Sequence, residues 1–211
     1  MIIYRAATLE DMNEVAYVHI ITQPEYFTST LGVDLLSKFY TEFLKEDDLF
    51  VLAIDEETER IVGFCMGNWY GSRAEKRWES KYQTQIIKRL FMKCLQFNTL
   101  AISRVFRQIK DIILKPVKKD LQKDAYYSHL LSLGVLPEYR GQHIASKMID
   151  LFEKKCLNSS SRMSIPCISK DRICTIGAYK WNIAGCNLYK AKGYSVYHED
   201  RKKLKFRKNL S

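Results

Sequence analysis

A strand that runs through a tight glycine turn into an amphipathic helix constrains this chain more than any other stretch. Leu130-Leu131-Ser132-Leu133-Gly134-Val135-Leu136 is a short apolar run of the kind that forms a buried strand. Pro137-Glu138-Tyr139-Arg140-Gly141 follows, and its proline and glycine mark a turn. From about Gln142 onward, Ile144, Ala145, Met148, Leu151, Phe152 and Cys156 recur at three- and four-residue steps. Ser146, Lys147, Asp150, Glu153, Lys154 and Lys155 fill the positions between them, so a helix with one apolar face is expected.

Such a unit has a physical use. The first backbone N–H groups of a helix have no partner inside it. They point along the positive end of the helix dipole and together form a socket for phosphate oxygens. Arg140 at the rim can add a charge-assisted bond. Gly141 and Ala145 are small enough for a ligand to approach the backbone. Units of this kind also occur with no ligand, so a purely structural turn is the alternative.

The wording of the turn goes further. Arg140-Gly141-Gln142-His143-Ile144-Ala145 resembles the pyrophosphate-binding segment, Gln/Arg-x-x-Gly-x-Gly/Ala, of the GNAT superfamily of acyl-CoA N-acyltransferases. Arg140 and Ala145 match its ends, and Gly141 matches a frequent glycine. His143 stands where the family has glycine, which suggests an unstrained helical backbone there with the imidazole turned away from the phosphates. Downstream, Asn182-Ile183-Ala184-Gly185-Cys186-Asn187-Leu188-Tyr189-Lys190-Ala191-Lys192-Gly193-Tyr194 resembles the family's Asn-x-x-Ala-x-x-Leu-Tyr-x-x-x-Gly-Phe/Tyr segment. Gly185 replaces its alanine. The resemblance covers most of Ile2 to Tyr194 apart from one large insertion.

The resemblance implies an α/β (α+β) GNAT fold: a mixed central sheet split by a V-shaped gap that receives the pantetheine arm of acetyl-CoA. Leu133, Gly134 and Val135 are the strand positions that would bond that arm as an added strand does. Gly134, a glycine inside a strand, marks a bulge or a close backbone approach. Arg140, Gly141, Gln142, His143, Ile144, Ala145 and Ser146 would hold the diphosphate. Asn182 would cap the last helix and could hold a pantetheine amide, and the cap alone would equally explain it.

The implied reaction is attack of a primary amine on the thioester. Val135 N–H would polarise the carbonyl oxygen. Tyr189 matches the tyrosine that points at the CoA sulfur, with a core tyrosine as the plain alternative. No carboxylate stands at the start of the central strand, so the candidate bases are His129, then Glu25, or a water chain. The expected co-substrate is acetyl-CoA, with no metal. The expected acceptor is a small-molecule amine such as an amino sugar, a polyamine or an aminoglycoside-like compound. A peptide amine and a non-catalytic acyl-CoA-binding domain are the alternatives.

Around this centre the chain orders itself simply. Ile2 to Ala7 reads as a strand. Thr8 and Asp11 open a helix with Met12, Val15, Ala16, His19 and Ile20 inside. A loop containing Gln23, Glu25 and Tyr26 leads to a helix over about Val33 to Lys45. Leu49 to Ile54 and Ile61 to Trp69 form a hairpin. Then comes the insertion, Trp69 to Lys123, which reads as two helices, about Arg73 to Gln96 and Leu100 to Leu114. Beyond the central helix lie strand candidates Met163 to Ser169 and Ile173 to Trp181, the second being the expected partner of the central strand. A helix over Ala184 to Lys192 and a closing strand pair complete a single domain, 1–211.

The insertion holds 14 Lys plus Arg and 4 Asp plus Glu, an excess of +10 that equals the formal charge of the whole protein. The three readings are a solvated face, a positive lid for an anionic acceptor or cofactor phosphates, and docking to nucleic acid or membrane. No nucleic-acid reader motif is present, so nucleic acid is not an expected partner. The apolar stripes of the insertion need cover, from the domain or from a second copy. The six cysteines form no Cys-x-x-Cys pair and suit buried reduced thiols. No apolar run is long enough to span a membrane and no secretion signal opens the chain, so a cytoplasmic protein is expected.

Overall fold

Seven strands form one mixed sheet in the order β1-β2-β3-β4-β5-β7-β6. The computed structural model describes residues 1–96, 128–158 and 172–210. The strands are β1 (Ile2–Ala6), β2 (Leu49–Asp55), β3 (Arg60–Trp69), β4 (Ser128–Val135), β5 (Ile173–Tyr179), β6 (Ser195–Glu199) and β7 (Lys203–Asn209). The helices are α1 (Met12–Thr22), α2 (Val33–Asp47), α3 (Ala74–Gln96), α4 (Ile144–Asn158) and α5 (Ile183–Ala191). The second helix expected in the insertion, and the strand candidate Met163 to Ser169, lie outside the described residues. So do the side chains of Cys94 and Cys167.

β2 and β3 are buried along almost their whole length because helices cover both faces of the sheet. α1 and α2 pack on one face and α4 on the other. The apolar stripes do this work. Leu35, Leu36, Phe39, Tyr40 and Phe43 of α2 are all buried, as are Ile144, Met148, Ile149, Phe152 and Cys156 of α4. At roughly 1.5–3 kcal/mol for each fully buried large apolar side chain, these two faces are major sources of stability.

α3 docks on α2 by both apolar and charged contacts. The rings of Trp78 and Phe39 meet edge to face at 5.2 Å. Trp78 Nε1 donates to the carbonyl of Leu35 at 3.1 Å. Arg77 and Lys81 pair with the buried Glu42. Asp47, at the end of α2, accepts from Trp69 N and from Ser72 Oγ, which pins the start of the insertion. Burial raises the Asp47 carboxyl to about 6.

Among the described residues no helix is long and apolar enough to cross a membrane. Cys65, Cys156, Cys174 and Cys186 are buried free thiols, and burial raises each above its ordinary value.

Candidate active site

The sheet splits between β4 and β5. These parallel strands pair only at Ser128–Cys174, His129–Thr175 and Leu130–Ile176. Beyond Leu130 the edge of β4 has no strand partner on that side among the described residues, which leaves the V-shaped opening that the family resemblance implies. Among the described residues nothing lies within 4 Å of where a Cβ on Gly177 of β5 would stand.

The bulge in β4 is at Leu131, not at Gly134. Met66 pairs with Ser132 while Gly67 pairs with Leu130, so Leu131 has no opposite residue. The extra residue reverses the alternation of β4. Ser128 borders Cys156 on α4, whereas Ser132 meets Tyr40 on α2; four residues apart on a regular strand they would face the same way. Gly134 is in register with Phe64 and is small for another reason. A Cβ there would lie 2.5 Å from Thr22 Oγ1 and 2.8 Å from Phe64, so α1 and β3 press directly on its backbone.

The turn after β4 is held from outside. Leu136 N donates to the carbonyl of Val62, and Tyr139 Oη donates to Asp55 at 2.7 Å. Arg140 keeps its guanidinium at the exposed rim and donates from Nε to the carbonyl of Val135. Gly141 has φ 81°. His143 has φ 58°, so its backbone is left-handed and not helical as its sequence position suggested. The glycine-like bend survives with a histidine in it, and α4 starts at Ile144.

Lys147 N bonds back to His143 O, but the N–H groups of Gly141, Gln142, His143, Ile144, Ala145 and Ser146 have no partner among the described residues. Gly141, Gln142 and His143 are exposed. This is an open anion socket by geometry.

Leu133, in contrast, is not wholly free. Gln23 Nε2 donates to its carbonyl and to Ser132 Oγ, both at 3.1 Å. A side-chain amide from the α1–α2 loop thus occupies one acceptor on the parted strand.

Tyr189 is buried at the end of α5, between Tyr194 and Phe206, with Tyr26, Cys65 and Cys186 close by. Burial raises its phenol well above the ordinary range, so it stays protonated at neutral pH.

Asn182 caps α5 by accepting from Gly185 N at 3.0 Å, and its side chain also bonds Tyr26. An alanine at 185 would bring Cβ within 2.7 Å of Asn182 Nδ2, which accounts for the glycine in this chain.

Tyr26 lies edge-on to both Tyr179 and Trp181, joining the α1–α2 loop to the end of β5. Glu25 in the same loop is exposed.

His129 Nδ1 lies 2.8 Å from Thr175 Oγ1. Burial, with Lys205 and Lys203 adding to it, lowers His129 to about 4. It is therefore neutral and a weak base near pH 7.

Periodicity placed His19 and Tyr40 in packing stripes, and the structure makes them part of a polar chain. His19 Nε2 is 3.0 Å from Thr28 Oγ1, and its Nδ1 bonds Tyr40 Oη. Tyr40 Oη donates in turn to Ser132 Oγ. A histidine inside an otherwise apolar helix stripe was the one signal in the sequence for this chain. Burial lowers His19 to about 4 as well.

These groups border a cavity of about 680 Å³ between the α1–α2 loop, α2, α3 and the parted strands. His129, Leu131 and Ser132 all reach it, a consequence of the bulge. Among the described residues no group of three or more His, Cys, Asp or Glu could hold a metal.

No family model matches the sequence, and no curated protein sequence is recognisably similar. Solved structures are similar. Arylalkylamine N-acetyltransferase 2 from Aedes aegypti superposes with a TM-score of 0.59 at 15% identity, over 100% of this chain and 99% of that one. Ard1 from Thermoplasma volcanium gives 0.57 at 13%, over 100% and 98%. The NatB acetyltransferase complex bound to CoA and MES gives 0.55 at 18%, over 99% and 99%. At these identities the likeness is one of fold, and with the split sheet and the turn before α4 it shows that this chain has the fold of the GNAT acetyltransferases.

Proposed function

We propose that this protein is an acetyl-CoA-dependent N-acetyltransferase acting on a primary amine by direct attack. The observation that carries the reading is one arrangement: main-chain N–H groups from Gly141 to Ser146 that have no partner among the described residues, beside two strands that part after Leu130. In this reading those amides and Arg140 hold the diphosphate. The edge of β4 from Leu133 to Val135 takes the pantetheine amides, and Gln23 releases the Leu133 carbonyl as they arrive.

The chemistry then falls to a few groups. Val135 N–H is aimed at the carbonyl oxygen. Tyr189, protonated in its buried setting, donates a hydrogen bond to the departing sulfur; its raised pKa favours donation over complete proton transfer. Asn182 holds the start of α5 and, through Tyr26, the loop on the acceptor side. The amine must lose a proton. His129 and water in the cavity are the acceptors within reach, and the lowered basicity of His129 favours water.

The fold neighbours include an arylalkylamine acetyltransferase and a NatB complex, so fold likeness is compatible with small amines and with protein amines alike. A non-catalytic acyl-CoA-binding domain is the second reading, favoured by the weak base at His129 and the histidine at 143.

A thiol-release assay with acetyl-CoA across an amine panel separates these readings when run beside Tyr189→Phe. The expected result is amine-dependent thiol release that falls about tenfold to a hundredfold in Tyr189→Phe, with unchanged affinity for CoA. Equal rates in the two proteins remove Tyr189 from the mechanism. CoA binding with no release under any amine leaves the binding-domain reading, and no CoA binding removes both.

A further inference from the structure

We propose that α3, the helix inserted between β3 and β4, is the specificity wall of the acceptor pocket, and that the acceptor is a small primary amine on a flat, uncharged, apolar body. This rests on the acetyl-transfer reading above and narrows its substrate.

The cavity beside the parted strands, about 680 Å³, has the volume of a site for a drug-sized molecule. Its two ends differ. At the sheet end stand the Gln23 amide, the Ser132 and Tyr40 hydroxyls and His129. At the helix end Phe39 of α2 and Trp78, Ile86 and Leu90 of α3 present rings and branched chains, beside the polar Ser80 and Gln83 of the same helix. A molecule with an amine at one end and an apolar body at the other matches this polarity with the amine toward β4 and the body against the rings and branched chains of α2 and α3.

Two apolar side chains on the cavity wall are poorly covered. Leu131 and Ile87 remain 38% and 47% exposed. An apolar body entering the cavity would remove their surface from water, which is a driving force that a sugar cannot supply.

An amino sugar would instead press hydroxyls against Trp78, Ile86 and Leu90, away from the polar groups at the sheet end. A polyamine would bring further positive charges. Glu75 and Glu79 line the cavity together with two cations, Lys76 and Lys203, and Glu79 already has a partner, so the wall offers a polycation little net negative charge. The contact of Tyr26 with Tyr179 and Trp181 ties the α1–α2 loop to β5 on the cavity wall, which favours a compact acceptor over a polypeptide.

The test compares 2-phenylethylamine, glucosamine, spermidine and a short peptide with a free N-terminus as acceptors, at saturating acetyl-CoA. The expected kcat/KM for 2-phenylethylamine exceeds each of the others by at least tenfold. Ile87→Asp, a change at a half-exposed position, is expected to raise KM for 2-phenylethylamine by about tenfold or more, while Ile87→Leu retains the wild-type value. Affinity for acetyl-CoA and the thermal midpoint stay the same in both variants.

Equal or better use of glucosamine, spermidine or the peptide overturns the assignment and leaves acetyl transfer standing. An Ile87→Asp enzyme with unchanged KM overturns the role of α3. If CoA binds but no amine releases thiol, the acetyl-transfer reading has failed. Binding of 2-phenylethylamine, followed by isothermal titration calorimetry, then decides the pocket by itself: saturable binding weakened in Ile87→Asp supports it, and no binding overturns it.

Discussion

Replacing His143 by glycine isolates the backbone strain in the turn that opens α4. His143 is exposed and sits at φ 58°, so its imidazole is not part of the core. A left-handed backbone costs an L-residue about 1–2 kcal/mol, somewhat less for histidine than for most. Glycine avoids that cost but loses about 0.5–1 kcal/mol through its greater freedom in the unfolded chain. The net expectation is a gain of about 0.5–1 kcal/mol, or a rise of about 1–4 °C in Tm for a chain of this size.

Gly141→Ala is the mirror experiment. Nothing lies within 4 Å of the added Cβ, yet φ is 81°, so any loss comes from conformation and not from a clash. The left-handed cost of about 1–2 kcal/mol, less about 0.5–1 kcal/mol gained by restricting the unfolded chain, leaves an expected loss of about 0.5–1 kcal/mol. Urea unfolding measures both, with an unchanged m-value as the check that only stability has moved. A destabilised His143→Gly, or a neutral Gly141→Ala, would refute the argument that left-handed residues shape this turn.

Two further substitutions probe the scaffold around the site. Gly134→Ala forces Cβ against Thr22 and Phe64 and is expected to cost about 1–3 kcal/mol by denaturant unfolding, with partial recovery when Thr22→Ala is added. Asp47→Asn tests the raised carboxyl at the foot of the insertion. The folded value of about 6 lies above the unfolded value near 3.9, so its favourable contribution is complete below about pH 4 and is lost as pH rises through about 6. Wild type is therefore expected to lose up to about 2 kcal/mol relative to Asp47→Asn between pH 4 and pH 7.5, measured by urea unfolding at each pH. A difference that does not change with pH would show that the carboxyl titrates normally.

Much of the fold was legible from local pattern. The stripes of α2 and α4 follow helical spacing so closely that their buried faces were readable residue by residue. The hairpin of β2 and β3, the start of α3 near Ala74 and the cap at Asn182 were equally local signals. Of the two meanings that a glycine in a strand carries, Gly134 has the second, a close backbone approach by Thr22 and Phe64, and the bulge falls instead on a leucine, which no local signal marks. The backbone of His143 was misread for a similar reason. Side-chain identity biases φ but does not set it, and the held turn between Leu136 and Ile144 overrides the bias. The chain from Thr28 through His19 and Tyr40 to Ser132 joins three separate elements, so no window of sequence could contain it.

Sequence alone determined most of the described strands and helices, and marked the turn before α4 as a place where helix N–H groups could face an anion, because both depend on residues within a few positions of one another. Only the tertiary structure decided how far β4 and β5 stay paired, which way Ser132 turns, and that α3 walls the opening with Trp78, Ile86 and Leu90. Those outcomes depend on the packing of surfaces distant in the chain, and a single extra residue at Leu131 is enough to exchange the two faces of a strand.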